Sequence, residues 1–229
     1  MNIASRLNRI KEDLPANVRL VAVSKFQEIP DIREAYRAGQ RLFGESRVQE
    51  LLAKYEHLPK DVEWHFIGHL QVNKVKYIVP LVAMLHSADS IKLLNELEHH
   101  AAKSGRRLKV LLQVHIAQEE AKFGFSFEEV EDFVNNKMPE CYPHLIIAGL
   151  MGMATLTDDE SQVCKEFSGL SALFTRLKEG YFSGNEDFKE LSMGMSDDYP
   201  LAVEAGSTLV RIGTKIFGDR KQPFYGSDT

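Results

Sequence analysis

The sequence predicts an α/β protein, a single (β/α)8 TIM barrel with an additional N-terminal helix. Three observations lead there. Eight short apolar runs rich in β-branched and aromatic residues recur along the chain. Segments with helical periodicity separate them, and several runs are apolar at nearly every central residue, as strands covered on both faces tend to be. The runs fall at residues 19–24, 41–44, 64–68, 84–88, 109–116, 145–150, 190–193 and 208–213. Eight βα units in about 200 residues match the lower length range of such barrels. A doubly wound open sheet would have fewer strands and a glycine-rich first turn, and the first turn here, Ser24-Lys25-Phe26-Gln27, contains no glycine.

Each element has a local reason. Ile3, Leu7, Ile10 and Leu14 form one apolar stripe ahead of the first strand. That helix is positioned to cover the gap left after the eighth run, where no helix of useful length is expected. Val48, Leu51, Leu52 and Tyr55 follow the second strand at helical spacing, and Val163, Phe167, Leu170, Phe174 and Leu177 make a longer stripe before the seventh. Residues 179–187 read as a surface excursion. No linker, low-complexity tract or further repeat appears, so residues 1–218 read as one domain and the polar, turn-rich stretch 219–229 as a loose C-terminal tail.

Composition excludes several function classes. With 28 Lys+Arg against 33 Asp+Glu the formal charge is −5, which gives no sign of the concentrated basic face of a nucleic-acid binder. The two cysteines, Cys141 and Cys164, stand in unlike contexts without metal-ligand spacing, so no disulfide scaffold or zinc site is expected. No apolar run has the length of a membrane span, and a cytoplasmic protein is the expectation.

In a barrel the chemistry collects at the C-terminal ends of the strands, with phosphate typically held after strands seven and eight. Alternation puts Val21, Val23 and Lys25 on one side of the first strand, so the Lys25 amine enters the barrel mouth. Buried there, it forms a Schiff base with an aldehyde; paired with a carboxylate, it is an ordinary rim lysine. The loops Ser192-Met193-Gly194-Met195-Ser196 and Arg211-Ile212-Gly213-Thr214 offer backbone N–H groups and hydroxyls for a phosphate, while Ser196 equally suits the N-cap of the next helix. Arg211 shares parity with Gly213 and needs a partner, for which Glu45 and Asp89 are available carboxylates. Ser46, His65, Ser87 and His115 are the other polar residues at strand ends.

The strings VAVSK (21–25), FGESRVQE (43–50), WHFIGHLQVNK (64–74), GLMGM (149–153), LSMGMSDD (191–198) and AGSTLVRIGTKIFGDR (205–220) together resemble the pyridoxal phosphate homeostasis family over nearly the whole chain. The resemblance implies a single barrel of the alanine racemase N-terminal type, PLP fold type III, binding pyridoxal 5′-phosphate (PLP) as a Schiff base on Lys25. It also implies phosphate contacts from Ser196, Gly213 and Thr214 with Ser192 as a helper, and Arg211 beside the pyridine nitrogen. Ser46 stands where the family usually has asparagine and has a shorter reach, and His115 where asparagine is common.

Three functions follow in order. The first is a monomeric PLP carrier of intracellular vitamin B6 homeostasis, without efficient catalysis, that passes the cofactor to apo PLP-dependent enzymes. The second is a PLP-dependent amino-acid racemase, and the third a Schiff-base aldolase. An always-charged arginine at the ring nitrogen weakens the ring as an electron sink. No second acid/base is recognisable on the far side of the cofactor, and no racemase-type second domain follows, which places the carrier first.

Overall fold

The computed structural model describes residues 2–118 and 123–218, and the expected tail at 219–229 lies outside them. Eight parallel strands close a barrel in chain order. They are β1 (Arg19–Val23), β2 (Leu42–Glu45), β3 (Glu63–Phe66), β4 (Met84–Ala88), β5 (Leu108–Gln113), β6 (Leu145–Met151), β7 (Glu190–Ser192) and β8 (Leu209–Ile212). Every expected run overlaps one.

Helix α1 (Ile3–Asp13) buries Ile3, Leu7 and Ile10, and Asn2 caps it by accepting from Ser5 N–H at 2.8 Å. It packs against α2 (Ile29–Arg37), which follows β1, and against the short helix at Thr214–Phe217 that follows β8. Arg6 Nε donates to the Ile216 carbonyl at 2.7 Å, so α1 fills the gap between the two ends of the barrel as expected. After β2 comes α3 (Val48–Tyr55), which buries Val48 and Leu51 but leaves Leu52 exposed, so the apolar stripe there is narrower than the spacing suggests. The 20-residue helix Glu160–Glu179 buries all five predicted stripe residues, each contributing about 1.5–3 kcal/mol when fully buried. The excursion after it is pinned rather than loose, because Phe182 stacks on Phe188 with centroids 4.1 Å apart and Phe188 stacks on Phe174.

Two cores result. One lies between the sheet and its helices; the other fills the lower barrel with Val21, Leu42, Met84, Leu111, Ala148, Met151 and Leu209. Ala148 and Met151 both point inward although strict alternation forbids it. The register between β5 and β6 shifts at Gly149, whose φ is +150° and whose hydrogen faces the Glu190 carbonyl. Cys141 and Cys164 are free thiols, and among the described residues no cluster could hold a metal ion and no helix is long and apolar enough to cross a membrane.

A Cβ at Gly149 would lie 1.7 Å from the Glu190 carbonyl oxygen, whereas at Gly39, also at positive φ, it would meet nothing within 4 Å. Gly149→Ala should therefore destabilise the barrel by about 3 kcal/mol or more, and Gly39→Ala by only about 1 kcal/mol. Paired denaturant titrations measure the difference; equal losses would place the bulge outside the constraints that close the barrel.

Candidate functional site

At the C-terminal end of the strands a cavity of about 600 Å³ opens, lined among others by Val23, Lys25, Ser46, Ser196, Arg211, Gly213 and Thr214. Six of the seven predicted site residues are in this list. Val21 in the interior core, Val23 on the cavity wall and Lys25 at the mouth follow the predicted alternation along β1.

Ser192 sits one layer lower and does not line the cavity. Its Oγ accepts from Arg211 Nη1 at 2.5 Å, and Arg211 Nη2 donates to the Gly152 carbonyl at 3.0 Å. The expected carboxylate partner for Arg211 is corrected by these contacts: Glu45 is bonded to Ser24 and Lys54, and Asp89 to His69. Burial pushes the Arg211 guanidinium down to about 10 while the Asp198 charge lifts it, so it stays protonated at neutral pH. A buried cation satisfied only by neutral acceptors keeps its charge for whatever enters the cavity. Five guanidinium N–H groups exist and two make the bonds described.

The neutral layer beneath the cavity continues from Ser192. His86 Nδ1 lies 3.0 Å from Ser192 Oγ, and His86 Nε2 lies 2.7 Å from His65 Nδ1. Because Ser192 Oγ accepts from Arg211, its own proton is available to His86 Nδ1, and His86 Nε2–H then donates to His65 Nδ1. Burial pushes His65 down to about 3, with the Arg19 and Lys109 charges adding to it. Burial also holds His86 well below the ordinary histidine value, helped by His65 and Arg211. His86 escapes the sequence reading, which selects its neighbour Ser87. Parity with the interior Met84 is the signal that identifies His86, since Ser87 turns away and donates to the Gly68 carbonyl.

The loops after β7 and β8 meet as expected. Arg211 N–H donates to the Gly194 carbonyl at 2.9 Å, and Gly213 N–H reaches Ser196 Oγ at 3.4 Å. Ser196 is not the helix cap. The helix Tyr199–Glu204 starts after Asp198, whose Oδ1 accepts from Met195 N–H at 2.5 Å, and this leaves the Ser196 hydroxyl to the cavity. Gly194 has φ +92°, and a Cβ there would lie 2.5 Å from Ala202 Cβ, so only glycine lets this loop lie against the helix.

His69, which the sequence reading did not bring together with Asp89, lines the cavity. His69 Nδ1 lies 2.7 Å from Asp89 Oδ2, and the His69 ring stacks on Phe123 at 3.9 Å. With His115, a strand-end candidate that also lines the cavity, they are acid/base side chains at a site for which the sequence reading recognised no second acid/base. Gln27 lines the cavity too, and its buried Oε1 has no hydrogen-bond partner among the described residues.

The family model for the alanine racemase N-terminal domain matches residues 1–221. The chain is 37% identical over 232 residues to the pyridoxal phosphate homeostasis protein of Aquifex aeolicus, an alignment covering 96% of this chain and all of that one. It is similar to the solved structure of PipY from Synechococcus elongatus with PLP bound, with a TM-score of 0.85, 37% identity, and coverage of 95% of this chain and 100% of that one. Alanine racemase of Clostridium difficile shares the fold at a TM-score of 0.73 and 13% identity, with 99% of this chain matching 57% of that one.

The histidine layer makes stability depend on pH. Above about pH 6.5 both histidines are neutral folded or unfolded, and they add no slope. Below it only the unfolded chain takes up their protons, down to about pH 3 for His65. Stability therefore falls with falling pH by up to about 1.4 kcal/mol per pH unit for each histidine. Burial raises the Glu45 carboxyl, so that group's contribution runs the other way, being lost as pH rises. Thermal melts between about pH 7 and about pH 5 should show a falling Tm, with a shallower slope in His65→Gln/His86→Gln. A wild-type Tm that does not fall over that range contradicts the neutral assignment.

Proposed function

Because this chain belongs to the alanine racemase N-terminal domain family and to the pyridoxal phosphate homeostasis proteins within it, we propose that it binds PLP on Lys25 and serves intracellular vitamin B6 homeostasis without efficient catalysis. One observation carries this reading: a single cavity gathers an amine, a protonated arginine hydrogen-bonded to neutral acceptors, and a loop pair with hydroxyl and backbone donors. When bound, PLP supplies an aldehyde that condenses reversibly with a primary amine.

The residues present fit that group. Lys25 is the amine. Ser196 and the Gly213 and Thr214 amides hold the phosphate, where an anion also meets the first N–H groups of the following helical turn. Arg211 donates to the pyridine nitrogen, and Ser192 supports it from below, so Ser192 helps by orienting Arg211 rather than by touching phosphate. Ser46 closes the wall beside Ile67. In this reading residues 1–218 are one PLP-binding domain acting as a monomer in the cytoplasm, with apo PLP-dependent enzymes as recipients and neither nucleic acid nor membrane as a partner. An aldolase is disfavoured by Arg211, which matches a ring nitrogen acceptor.

Borohydride reduction of the PLP-loaded protein followed by peptide mapping should place the label on Lys25, and Lys25→Ala should lose it while remaining folded. In the same preparation Ser196→Ala should weaken PLP binding by about 1–2 kcal/mol, and pyridoxal without phosphate should bind far more weakly than PLP. Label on another lysine, or equal affinities for pyridoxal and PLP, would overturn the assignment.

His69 with Asp89 favours racemisation as a second reading, since that reaction needs a proton removed on one face and returned on the other. Incubation with single enantiomers of several amino acids, followed by chiral chromatography, decides between the two. The carrier reading expects turnover far below the enzyme median of about 10 per second. Turnover near that value, lost in both Lys25→Ala and His69→Gln, establishes the racemase.

A further inference from the structure

The turn that carries Lys25 is strained at the position where glycine is missing. Gln27 N–H donates to the Ser24 carbonyl at 3.0 Å, closing a four-residue turn with Lys25 second and Phe26 third. Phe26 has φ +62°, the left-handed backbone that a type II turn reserves for glycine at that position. Such strain persists only where the surroundings over-determine it, and it clusters at functional sites.

The surroundings here are a buried charge cluster. Lys54 of α3 donates to the Ser24 carbonyl at 2.8 Å, to Glu45 Oε1 at 2.6 Å and to Glu50 Oε2 at 2.8 Å, using all three ammonium donors. Glu50 Oε2 also accepts from Phe26 N–H at 2.8 Å, and Ser24 Oγ donates to Glu45 Oε1 at 2.7 Å. The residue before Lys25 is thus gripped by its carbonyl and the residue after it by its amide, and both grips end on one ammonium. Arg47 adds a cation over the Phe26 ring, 4.6 Å from its centroid.

None of Lys54, Glu45 and Glu50 lines the cavity. Apolar side chains of similar volume would stabilise this place at least as well as three buried ionisable groups. What the ionic cluster adds is direction: it fixes donors and acceptors against two specific backbone groups.

We propose that Lys54, through Glu45 and Glu50, is a positioning residue for Lys25: the cluster holds the strained turn that aims the amine into the cavity, and so sets how fast Lys25 captures an aldehyde. The proposal rests on Lys25 being the capturing amine. Capture forms one C=N bond between the Lys25 nitrogen and the aldehyde carbon and releases one water, with no change in oxidation state.

The test uses the full chain and its Lys54→Met and Glu50→Gln variants. Each is mixed rapidly with PLP and, separately, titrated with pyridoxine 5′-phosphate, which keeps the ring and phosphate but has no aldehyde. The rate of covalent capture, followed by visible absorbance and by borohydride-fixed mass on Lys25, should fall by roughly tenfold to a hundredfold, the scale of a misplaced reacting group. Affinity for pyridoxine 5′-phosphate should stay at the wild-type value, which a general loosening of the barrel would not allow. Glu50→Gln preserves volume and decides the matter if Lys54→Met does not fold. Wild-type capture rates in the folded variants, or a parallel loss of pyridoxine 5′-phosphate affinity, overturn the proposal. Wild-type protein labelled elsewhere than Lys25 overturns the PLP reading itself, which separates the two failures.

Discussion

The hydrogen bonds between β1 and β8 close the sheet, and the mouth of the barrel exists because of them. Arg19, Leu20, Val21 and Ala22 pair in register with Leu209, Val210, Arg211 and Ile212. This seam sets Lys25, from the first loop, on the same rim as Gly213 and Thr214, from the last. A sheet left open at that edge would hold the amine and the proposed phosphate loops apart. The seam also fixes depth, because Val21 and Arg211 are partners and the guanidinium stands directly above the apolar interior.

Charge is partitioned across the strand wall. Inside the barrel, beneath the cavity, the hydrogen bonds of Arg211 among the described residues go to neutral groups, the Ser192 hydroxyl and the Gly152 carbonyl, and the neutral histidines continue that layer. Outside it, Lys54 is met by two carboxylates. Removing a partner from a buried charge costs far more than the net gain of the pair, so the two arrangements serve different ends. The outer cluster pairs its ammonium with its own carboxylates and holds shape, and the inner cation is left with capacity for an acceptor that enters from outside.

Strand order and the stripes of the first and the longest helix were legible in the sequence because period-2 and period-3.6 patterns report directly on burial. Lys25 was legible for the same reason, standing two residues beyond an interior valine. Leu52 was misread since periodicity shows which residues could share a face, not how wide the covered face is. The carboxylate sought for Arg211 was misread because pairing by opposite charge is a guess about distance, which the sequence does not carry; the actual partners come from β7 and from the chain after β6. Ser196 suited the cap by type, but the cap position falls two residues later at Asp198. The His69–Asp89 pair joins the ends of β3 and β4, and the parallel pairing of those two strands makes them neighbours.

Helix α1 has a consequence for how the chain comes to be folded. Its apolar face, Ile3, Leu7 and Ile10, is synthesised before all eight strands, yet one of its neighbours, the short helix Thr214–Phe217, follows the last of them. The bond from Arg6 to Ile216 spans 210 residues. At a synthesis rate of about 5–20 residues per second, that face waits on the order of ten seconds or more for its cover. During that interval a nascent chain presents an amphipathic helix with part of its packing site unmade, the transiently exposed hydrophobic surface that makes chaperones necessary.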